Sequence, residues 1–203
     1  VAARDLLAQT DEIRAKADDY KRKTAARDCE WRFLPGLGRG KGNMGVWPVT
    51  AQSHPDGDGP TLEYEVSFAN EGAHKLALGI LPTNDVNPAR GLRVGIQVGE
   101  GPMQTIDARQ GYVDTFSEYN EANISRSNVL KPLPAPARDI YLSGFRQPMR
   151  SEIFDNLRWL SIDLDIPSAG PQTIKVVMID PEIVVEKLVF DPDNEHPSYH
   201  GKE

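Results

Sequence analysis

Carboxylates at alternate positions are the residues of this 203-residue sequence whose type best suits acid–base chemistry. Glu63 and Glu65 form one such pair, and Asp163 and Asp165 form another. A glycosidase needs two carboxyl groups, one kept protonated and one charged or activating water. Both pairs stand in runs where apolar and polar residues alternate, which places the carboxylates on the wet face of strands. No apolar setting around them would raise one pKa, so we predict no catalytic residue in this chain.

Two further motifs bear on nucleotide and nucleophile chemistry. The segment 40–45, GKGNMG, satisfies G-x-G-x-x-G, but Pro48 interrupts the segment after it, so no helix N-terminus is available for a pyrophosphate. The P-loop spacing also fails, because Pro35 stands where its first glycine is needed. Cys29 has no histidine partner visible in the sequence, and there is no G-x-S-x-G elbow. We therefore expect no cofactor.

The histidines do not form a metal motif. His196 and His200 are four residues apart, but the proline between them excludes the helix that would bring them to one face, and they are expected to be solvated. The other two, His54 and His74, have no partner visible in the sequence. We predict no metal site. Calcium would need convergent oxygens, for which the candidates are Asp107, Asp114 and Glu118.

Aromatic side chains suggest sugar binding instead. A ring offers an apolar face to sugar C–H groups, while neighbouring polar groups fix the hydroxyls. Ordinary packing is the competing explanation for every candidate. Trp31 and Trp159 stand among strand-like residues and are predicted to be core. The candidate carbohydrate-binding residues are Trp47, Tyr112, Phe116 and Tyr119.

Composition excludes several classes of protein. A net charge of −7 argues against binding duplex DNA, because phosphates require a basic surface. No apolar run approaches the length of a membrane span, so we expect no membrane partner. The single cysteine cannot form an internal disulfide. Because the sequence starts with Val1, we expect a fragment or a processed product, and no signal peptide is visible.

Period-two alternation dominates the sequence after residue 30 and predicts an antiparallel β-sandwich of seven to nine strands. Leu62–Phe68 and Leu76–Ile80 are predicted to form a hairpin-like pair across the turn at Asn70. Asp180-Pro181 predicts a reversal between the last two strands. The other predicted strands include 31–34, 45–50, 92–98, 103–106, 160–166, 173–179 and 183–190.

Residues 1–28 have a different pattern that predicts an α-helix. Apolar and small residues recur three and four positions apart: Ala3, Leu6, Thr10, Ile13, Ala17 and Tyr20. A helix of this length is marginal alone, so its stripe must be buried against a partner. That partner is either the sheet of the same domain or a preceding helical domain.

Two separate stretches resemble the C-terminal end of glycoside hydrolase family 115. One reads TIKVVMIDPEIVVEKLVFD, at 173–191, and continues to HPSYHGKE at the C-terminus. The other is LPT at 81–83 followed by RGLRV at 90–94. At 191–194 the sequence DPDN replaces the glycine-rich turn of the family, which leaves the path of the tail open.

The resemblance implies a jelly-roll, galactose-binding-like β-sandwich at 29–203, with 1–28 as the end of a preceding helical domain. It implies a parent xylan α-1,2-glucuronidase whose catalytic residues lie in earlier domains, so none is carried over. Expected partners are the upstream domains, a homodimer partner and xylan or uronic-acid oligosaccharides, with no nucleic acid, and the parent is expected to work outside the cytoplasm. Two alternatives stay open: a carbohydrate-binding module in its own right, and an interaction domain that docks through the stripe Ala3–Tyr20.

Overall fold

The computed structural model describes residues 12–83, 90–110, 149–192 and 197. These residues form eleven strands and one short helix. In chain order the elements are β1 (Ile13–Lys16), β2 (Arg22–Thr24), β3 (Glu30–Pro35), β4 (Gly42–Trp47), β5 (Thr61–Phe68), β6 (Gly72–Ile80), β7 (Arg93–Val98), β8 (Gln104–Asp107), α1 (Met149–Asp155), β9 (Arg158–Ile166), β10 (Gly170–Met178) and β11 (Val184–Phe190). No helix among the described residues is long and apolar enough to cross a bilayer.

The strands form two sheets. The first has the order β3-β4-β11-β6-β9, and β1 also pairs with β11. The second has the order β2-β5-β10-β7-β8. Every neighbouring pair is antiparallel. The predicted antiparallel β-sandwich is therefore confirmed, but the described residues form eleven strands and not seven to nine.

The core lies between the sheets and is filled by the inward residues of the alternating runs. Every second residue of β5 from Leu62 to Phe68 is buried in this core, and β6 contributes Leu76, Leu78 and Ile80. Trp31 is fully buried, and its indole N–H donates a hydrogen bond of 2.8 Å to the carbonyl of Pro60, as a buried indole requires. Burial of both inner faces supplies the main driving force for this fold.

The prediction that Trp159 belongs to the core is wrong. Trp159 pairs with Gly79 of β6 and is only half-buried. A Cβ atom at Gly79 would come within about 3.0 Å of the Trp159 ring. The ring therefore lies across the glycine on the outer face of the first sheet, while the neighbouring Leu160 enters the core.

The helix predicted for residues 1–28 is wrong over the described part, which begins at residue 12. Ile13–Lys16 pairs with β11, and Arg22–Thr24 pairs with β5. Ile13 and Ala15 pack against the core, and Ala17 is buried with its carbonyl accepting a 2.8 Å hydrogen bond from the Tyr64 hydroxyl. These positions fit a period of two as well as a helical stripe, and the exposed edge of β11 offers backbone partners that an isolated helix lacks.

The hairpin-like pairing of β5 with β6 is also wrong, because the two strands belong to different sheets. β5 lies between β2 and β10, whereas β6 lies between β11 and β9. The reversal at Asp180-Pro181 likewise connects strands of different sheets, β10 and β11. At both turns the chain therefore passes from the second sheet to the first, as in Greek-key sandwiches.

Asp180 holds the second of these crossings in place. Its side chain is fully buried and accepts hydrogen bonds from the Ser53 hydroxyl at 2.6 Å and from the Arg93 backbone N–H and Nε, both at 2.8 Å. The carboxylate raises the pKa of Arg93 through these bonds and its charge. A buried carboxylate with this many donors fixes the start of β7 beside the turn.

Candidate functional site

A basic pocket opens on the first sheet at the point where β4 and β1 meet along the same edge of β11. β4 pairs with Val184 and Val185, and β1 pairs with Lys187 to Phe190. The pairing of β11 with β6 shifts register between Val185 and Lys187. The pocket has a volume of about 450 Å³, within the range of small-ligand sites. Its walls come from β1 and the following turn, the loop between β3 and β4, and the irregularity in β11.

Glu186 at this irregularity holds the pocket wall together. Its backbone carbonyl accepts from Ala17 N–H at 3.1 Å, and its Oε1 accepts from Arg39 N–H at 3.1 Å. Gly38 has a φ of +83°, and a Cβ there would come within 3.1 Å of the Glu186 Oε2 and collide with Asn43. Only glycine lets the loop approach this closely. Within the described part of the chain, the Glu186 Oε2 is buried without a hydrogen-bond partner.

The lining is rich in cations although the whole chain is acidic. Five basic residues face three carboxylates, Asp18, Asp19 and Glu186. The basic residues are Arg14, Lys16, Arg39, Lys41 and Lys187. The pocket is therefore locally positive and suits an anionic ligand.

Some polar groups of the pocket already form intramolecular contacts. Arg14 pairs with Glu12 at its rim, and Asp19 accepts the Lys16 backbone N–H at 2.8 Å. Burial lowers the pKa of Lys187, and the charges of Arg14, Lys16 and Arg39 lower it further, against a smaller opposing effect of Glu186. The folded chain thus holds the Lys187 ammonium at a cost that a bound carboxylate would offset.

A second surface is the edge hairpin, defined as residues 30–49 and comprising β3, β4 and their flanking residues. Four large apolar side chains are exposed here: Phe33 at 41%, Leu37 at 40%, Trp47 at 47% and Val49 at 58%. Among the described residues the remaining large apolar side chain of this kind is Phe154. Phe33 pairs with the core residue Met44 and Trp47 pairs with Glu30, so the exposed apolar side chains are spread along both faces of the edge. Exposed apolar side chains along an unpaired sheet edge are typical of an interaction surface.

Trp47 is the predicted sugar-binding residue that the structure describes. Val46 and Met44 point into the core, so Trp47 faces outward, and the Arg32 guanidinium lies 5.5 Å from its ring centroid. The strand from Gly42 to Trp47 spans about 16 Å, which separates the ring from the basic pocket. The other candidates, Tyr112, Phe116 and Tyr119, lie outside the described residues.

Of the two carboxylate pairs that the sequence analysis singled out, Glu63 forms an ion pair and the other three residues are exposed. Glu63 accepts from Arg22 at 2.6 Å, which lowers the Glu63 pKa, whereas Glu65 is exposed. Asp163 and Asp165 are exposed on β9. A lowered pKa disfavours a general acid at neutral pH.

Of the three calcium candidates, the structure describes Asp107 alone. Asp107 pairs with the Arg109 guanidinium at 2.7 Å, and this pairing overcomes desolvation to lower its pKa. Asp114 and Glu118 lie outside the described residues, as do His196 and His200.

The structure does bring Cys29 and His54 together, which corrects the expectation that they lack partners. The Cys29 Sγ lies 3.7 Å from the His54 Nε2, and Asp28 Oδ1 lies 3.2 Å from the same nitrogen. Asp58 Oδ1 is 3.0 Å from the other ring nitrogen, Nδ1. Burial and the charges of Asp28 and Asp58 raise the pKa of the Cys29 thiol to about 11. Cys29 and His54 are 25 residues apart, a separation that matches no motif of catalytic or metal-binding residues, so the sequence spacing could not reveal this cluster.

His74 likewise has a partner. Its Nδ1 lies 2.6 Å from Asp191 Oδ2, and its Nε2 lies 3.0 Å from the Asn70 carbonyl. Burial works against the charged ring, but these two acceptors outweigh it and raise the His74 pKa above 6.5. The pair ties the end of β11 to β6.

Comparison with known families assigns the chain. The model of the glycosyl hydrolase family 115 C-terminal domain matches residues 8–124 and 150–203. The chain belongs to this family. No match was found among curated proteins.

Three solved structures of sugar-acting proteins are similar to this family 115 domain. An exo-β-1,3-galactanase from Phanerochaete chrysosporium is 14% identical, with a TM-score of 0.50, and covers 88% of this chain and 29% of its own. A family 115 4-O-methyl-α-glucuronidase with specificity for decorated arabinogalactans is 10% identical at a TM-score of 0.49, covering 86% of this chain and 18% of its own. A carbohydrate-binding module from Zobellia galactanivorans laminarinase is 11% identical at 0.48, covering 89% and 98%. This chain therefore spans less than a third of the two enzymes.

Proposed function

We propose that this chain is the non-catalytic C-terminal β-sandwich of an α-glucuronidase acting on glucuronoxylan, and that it docks onto the upstream domains of the same polypeptide. Membership of a C-terminal domain family supports the first part. The apolar edge hairpin supports the second and is the observation that carries the proposal. A parent that acts on plant polysaccharide is expected to work outside the cytoplasm.

The acids of the basic pocket support a non-catalytic role. Glycoside hydrolysis needs two carboxyl groups that both reach the substrate. Glu186 is buried, with one oxygen on Arg39 N–H, and Asp19 accepts from Lys16 N–H. Asp18 and Asp19 are both exposed, but they are neighbours in one turn and Asp19 is engaged by the backbone. We expect no release of glucuronic acid from glucuronoxylan by this chain alone, and measurable turnover would contradict the non-catalytic assignment.

Docking through the edge hairpin follows from its position. Phe33 lies on β3 and Trp47 on β4, with Leu37 in the loop between the strands and Val49 just after β4. This strand pair ends the first sheet, and no further strand is described beyond β3. Exposed apolar side chains along a sheet edge gain from being covered, both by burial and by pairing of the free backbone groups. In a domain that follows others in one polypeptide, the upstream domains are the nearest partner.

Calorimetry can test this by adding the chain to a parent enzyme that lacks its own C-terminal domain. The chain should bind, and Trp47→Ser combined with Val49→Ser should weaken binding at least about tenfold, as for truncation of central apolar anchors. Phe154→Ser removes an apolar residue that is 75% exposed and lies outside the hairpin, and it should leave the affinity unchanged. Equal weakening by both variants would contradict docking through the hairpin. Light scattering of the chain alone would detect the competing outcome, self-association into a homodimer.

A second candidate function is binding of a uronic-acid-capped oligosaccharide, which the basic pocket specifically favours. Arg14, Lys16 and Lys187 occupy outward register positions at one edge of the pocket. A uronate carries one carboxylate on a ring of hydroxyls, so cations and the exposed backbone of the loop at 39–42 match both features. The pocket would then recognise the acidic side group rather than the xylan backbone.

The test compares glucuronic-acid-capped and uncapped xylo-oligosaccharides by calorimetry. Binding should require the capped sugar, and Arg14→Gln should weaken it about 10-fold or more. Lys175→Gln is the matched control, because Lys175 pairs with Glu100 on the second sheet. Equal affinity for both sugars would contradict carboxylate recognition in the pocket.

A further inference from the structure

Three side chains converge on one point beside the connection between β4 and β5. Asp28 and Cys29 immediately precede β3, and His54 lies in the loop that follows β4. One ligand atom from each of the three lies within 4.8 Å of the others. None of the three residues lines the basic pocket, and neither proposed function uses them.

The spacing of the donor atoms fits a tetrahedral metal ion. With bond lengths of about 2.3 Å to sulfur and about 2.0 Å to nitrogen or oxygen, tetrahedral angles place S and N about 3.5 Å apart, and N and O about 3.3 Å apart. The observed separations are 3.7 Å from Cys29 Sγ to His54 Nε2, and 3.2 Å from Asp28 Oδ1 to the same nitrogen. These two separations match a tetrahedral ion, and the third, between the Asp28 carboxylate and the Cys29 sulfur, is within 4.8 Å.

We propose that Asp28, Cys29 and His54 bind a zinc-type divalent cation, with solvent at the fourth position. Thiolate, imidazole and carboxylate are the donors that Zn²⁺ takes in proteins. Asp28 is 44% exposed, so the site opens to solvent on its side, whereas Cys29 is buried against the core. The ion ties the segment before β3 to the β4–β5 loop.

Asp58 supplies the outer contact that histidine ligands need. Its Oδ1 lies 3.0 Å from His54 Nδ1 and accepts a hydrogen bond from that nitrogen. The proton is then fixed on Nδ1, which leaves the Nε2 lone pair directed at the Asp28 and Cys29 donors. Asp58 is a positioning residue, because it acts through His54.

Backbone contacts hold the three donors in place. Ala26 N–H donates to the Cys29 carbonyl at 2.9 Å, and His54 N–H donates to the Ile179 carbonyl at 2.8 Å. Gly57 N–H donates to the His54 carbonyl at 3.1 Å, which closes the turn that presents Asp58. A Cβ at Gly59 would meet the Met178 carbonyl oxygen at 2.1 Å, so glycine is required for the loop to pack this close. The donors are thus set by the fold before any ion binds.

A nucleophilic Cys–His–Asp triad is the competing interpretation, and the contacts favour the metal. Asp28 competes with the thiol for the same His54 nitrogen, whereas a triad leaves that nitrogen to the nucleophile alone. Cys29 is also buried, so a substrate carbonyl could not approach its sulfur.

The experiment titrates the whole chain with Co²⁺ as a spectroscopic substitute and then displaces it with Zn²⁺. We expect one equivalent of Co²⁺ to bind and to give a thiolate-to-cobalt absorption band in the near ultraviolet. Cys29→Ser should abolish the band, and Asp28→Asn or His54→Gln should weaken Co²⁺ binding at least about tenfold. Asp58→Asn should weaken binding while keeping the band, as expected of a positioning residue.

Two controls separate this site from other histidines. His74→Gln removes the other His–Asp pair of the described chain, and a double variant at His196 and His200 removes the tail histidines. Both should bind Co²⁺ as the unmodified chain does. Zn²⁺ should also raise the melting temperature of the chain, and this effect should be lost in Asp28→Asn, which alters an exposed group and leaves the core intact. Absence of the band, or its persistence with unchanged affinity in Asp28→Asn and His54→Gln, would overturn the proposal.

Discussion

Replacing Lys187 with methionine should weaken uronate binding and stabilise the fold at the same time. Lys187 lies on β11 in the basic pocket, beside Arg14 of β1 and Arg39 of the β3–β4 loop. Methionine keeps the length and apolar stem of the side chain and removes only the ammonium group. Opposite effects on binding and stability distinguish a ligand-binding cation from a structural one.

The size of each effect follows from the contacts. A charge-assisted hydrogen bond to a carboxylate contributes about 1.5–3 kcal/mol, so its loss should raise Kd about 10- to 150-fold. The lowered pKa of Lys187 means that the folded chain disfavours its charge, because of burial first and then Arg14. Partial solvent screening keeps the gain in stability on Lys187→Met to about 0.5–1 kcal/mol.

The pH dependence gives an independent check. Because the Lys187 pKa is lowered from 10.5, the unfolded chain holds its proton to higher pH than the folded chain does. The stability contributed by this group therefore rises as pH rises through the folded pKa, and the advantage of Lys187→Met should shrink between neutral pH and about pH 10. Denaturant unfolding at both pH values measures the change, with Lys175→Met as the control on the second sheet.

The refuting result is specific. A Lys187→Met variant that loses more than about 1 kcal/mol of stability while binding the capped sugar unchanged would assign Lys187 to the fold alone. The pocket would then be a packing feature of the irregular β11 edge.

Asp180→Asn should lower the free energy of unfolding by about 3–5 kcal/mol in denaturant titrations, because it removes a fully buried charge partner of Arg93. Asp107→Asn removes one partner of a partly exposed ion pair and should cost less than about 1 kcal/mol. Equal costs would contradict the assignment of Asp180 as the residue that fixes the connection between β10 and β11. His74→Gln should destabilise by about 1 kcal/mol or less, and only at low pH. With its pKa raised by Asp191, the His74 contribution is fully present below pH 6.5 and is lost as pH rises through the folded pKa, so a gap in melting temperature that widens towards pH 8 would contradict the assignment.

The sequence was informative about strands because burial of one sheet face imposes a period of two. The alternation of Leu62–Phe68 and of Leu160–Ile166 with polar residues marks β5 and β9 to within a few residues. Pairing was not predictable in the same way. β5 and β6 are adjacent in sequence, but their inward faces come from opposite layers, and a turn at Asn70 is compatible with either arrangement.

The N-terminal segment failed for a different reason. Ile13, Ala15 and Ala17 satisfy a period of two, while Ile13, Ala17 and Tyr20 satisfy a helical one. The strand forms instead of the helix because the edge of β11 beyond β4 offers backbone hydrogen-bond partners to Ile13–Lys16. That edge is a tertiary feature, so residues 1–28 alone could not predict it.

The sites were the least predictable features. The basic pocket is assembled from three segments whose lysines and arginines individually look like ordinary solubilising charges. The Cys29–His54 contact joins residues 25 apart across two loops, so no ligand spacing announced it. Trp47 is exposed at 47%, and its role in sugar binding stays a prediction.

Hydrogen exchange across the edge hairpin tests the docking claim most directly. β3 pairs on one side with β4, so its amides that face away from β4 should exchange rapidly in this chain alone. In the full-length parent, the upstream domains should cover Phe33 and Trp47 and slow exchange over residues 30–47. Exchange in β8, which ends the second sheet among the described strands, should be unchanged. Identical exchange over residues 30–47 in the two proteins would contradict the account.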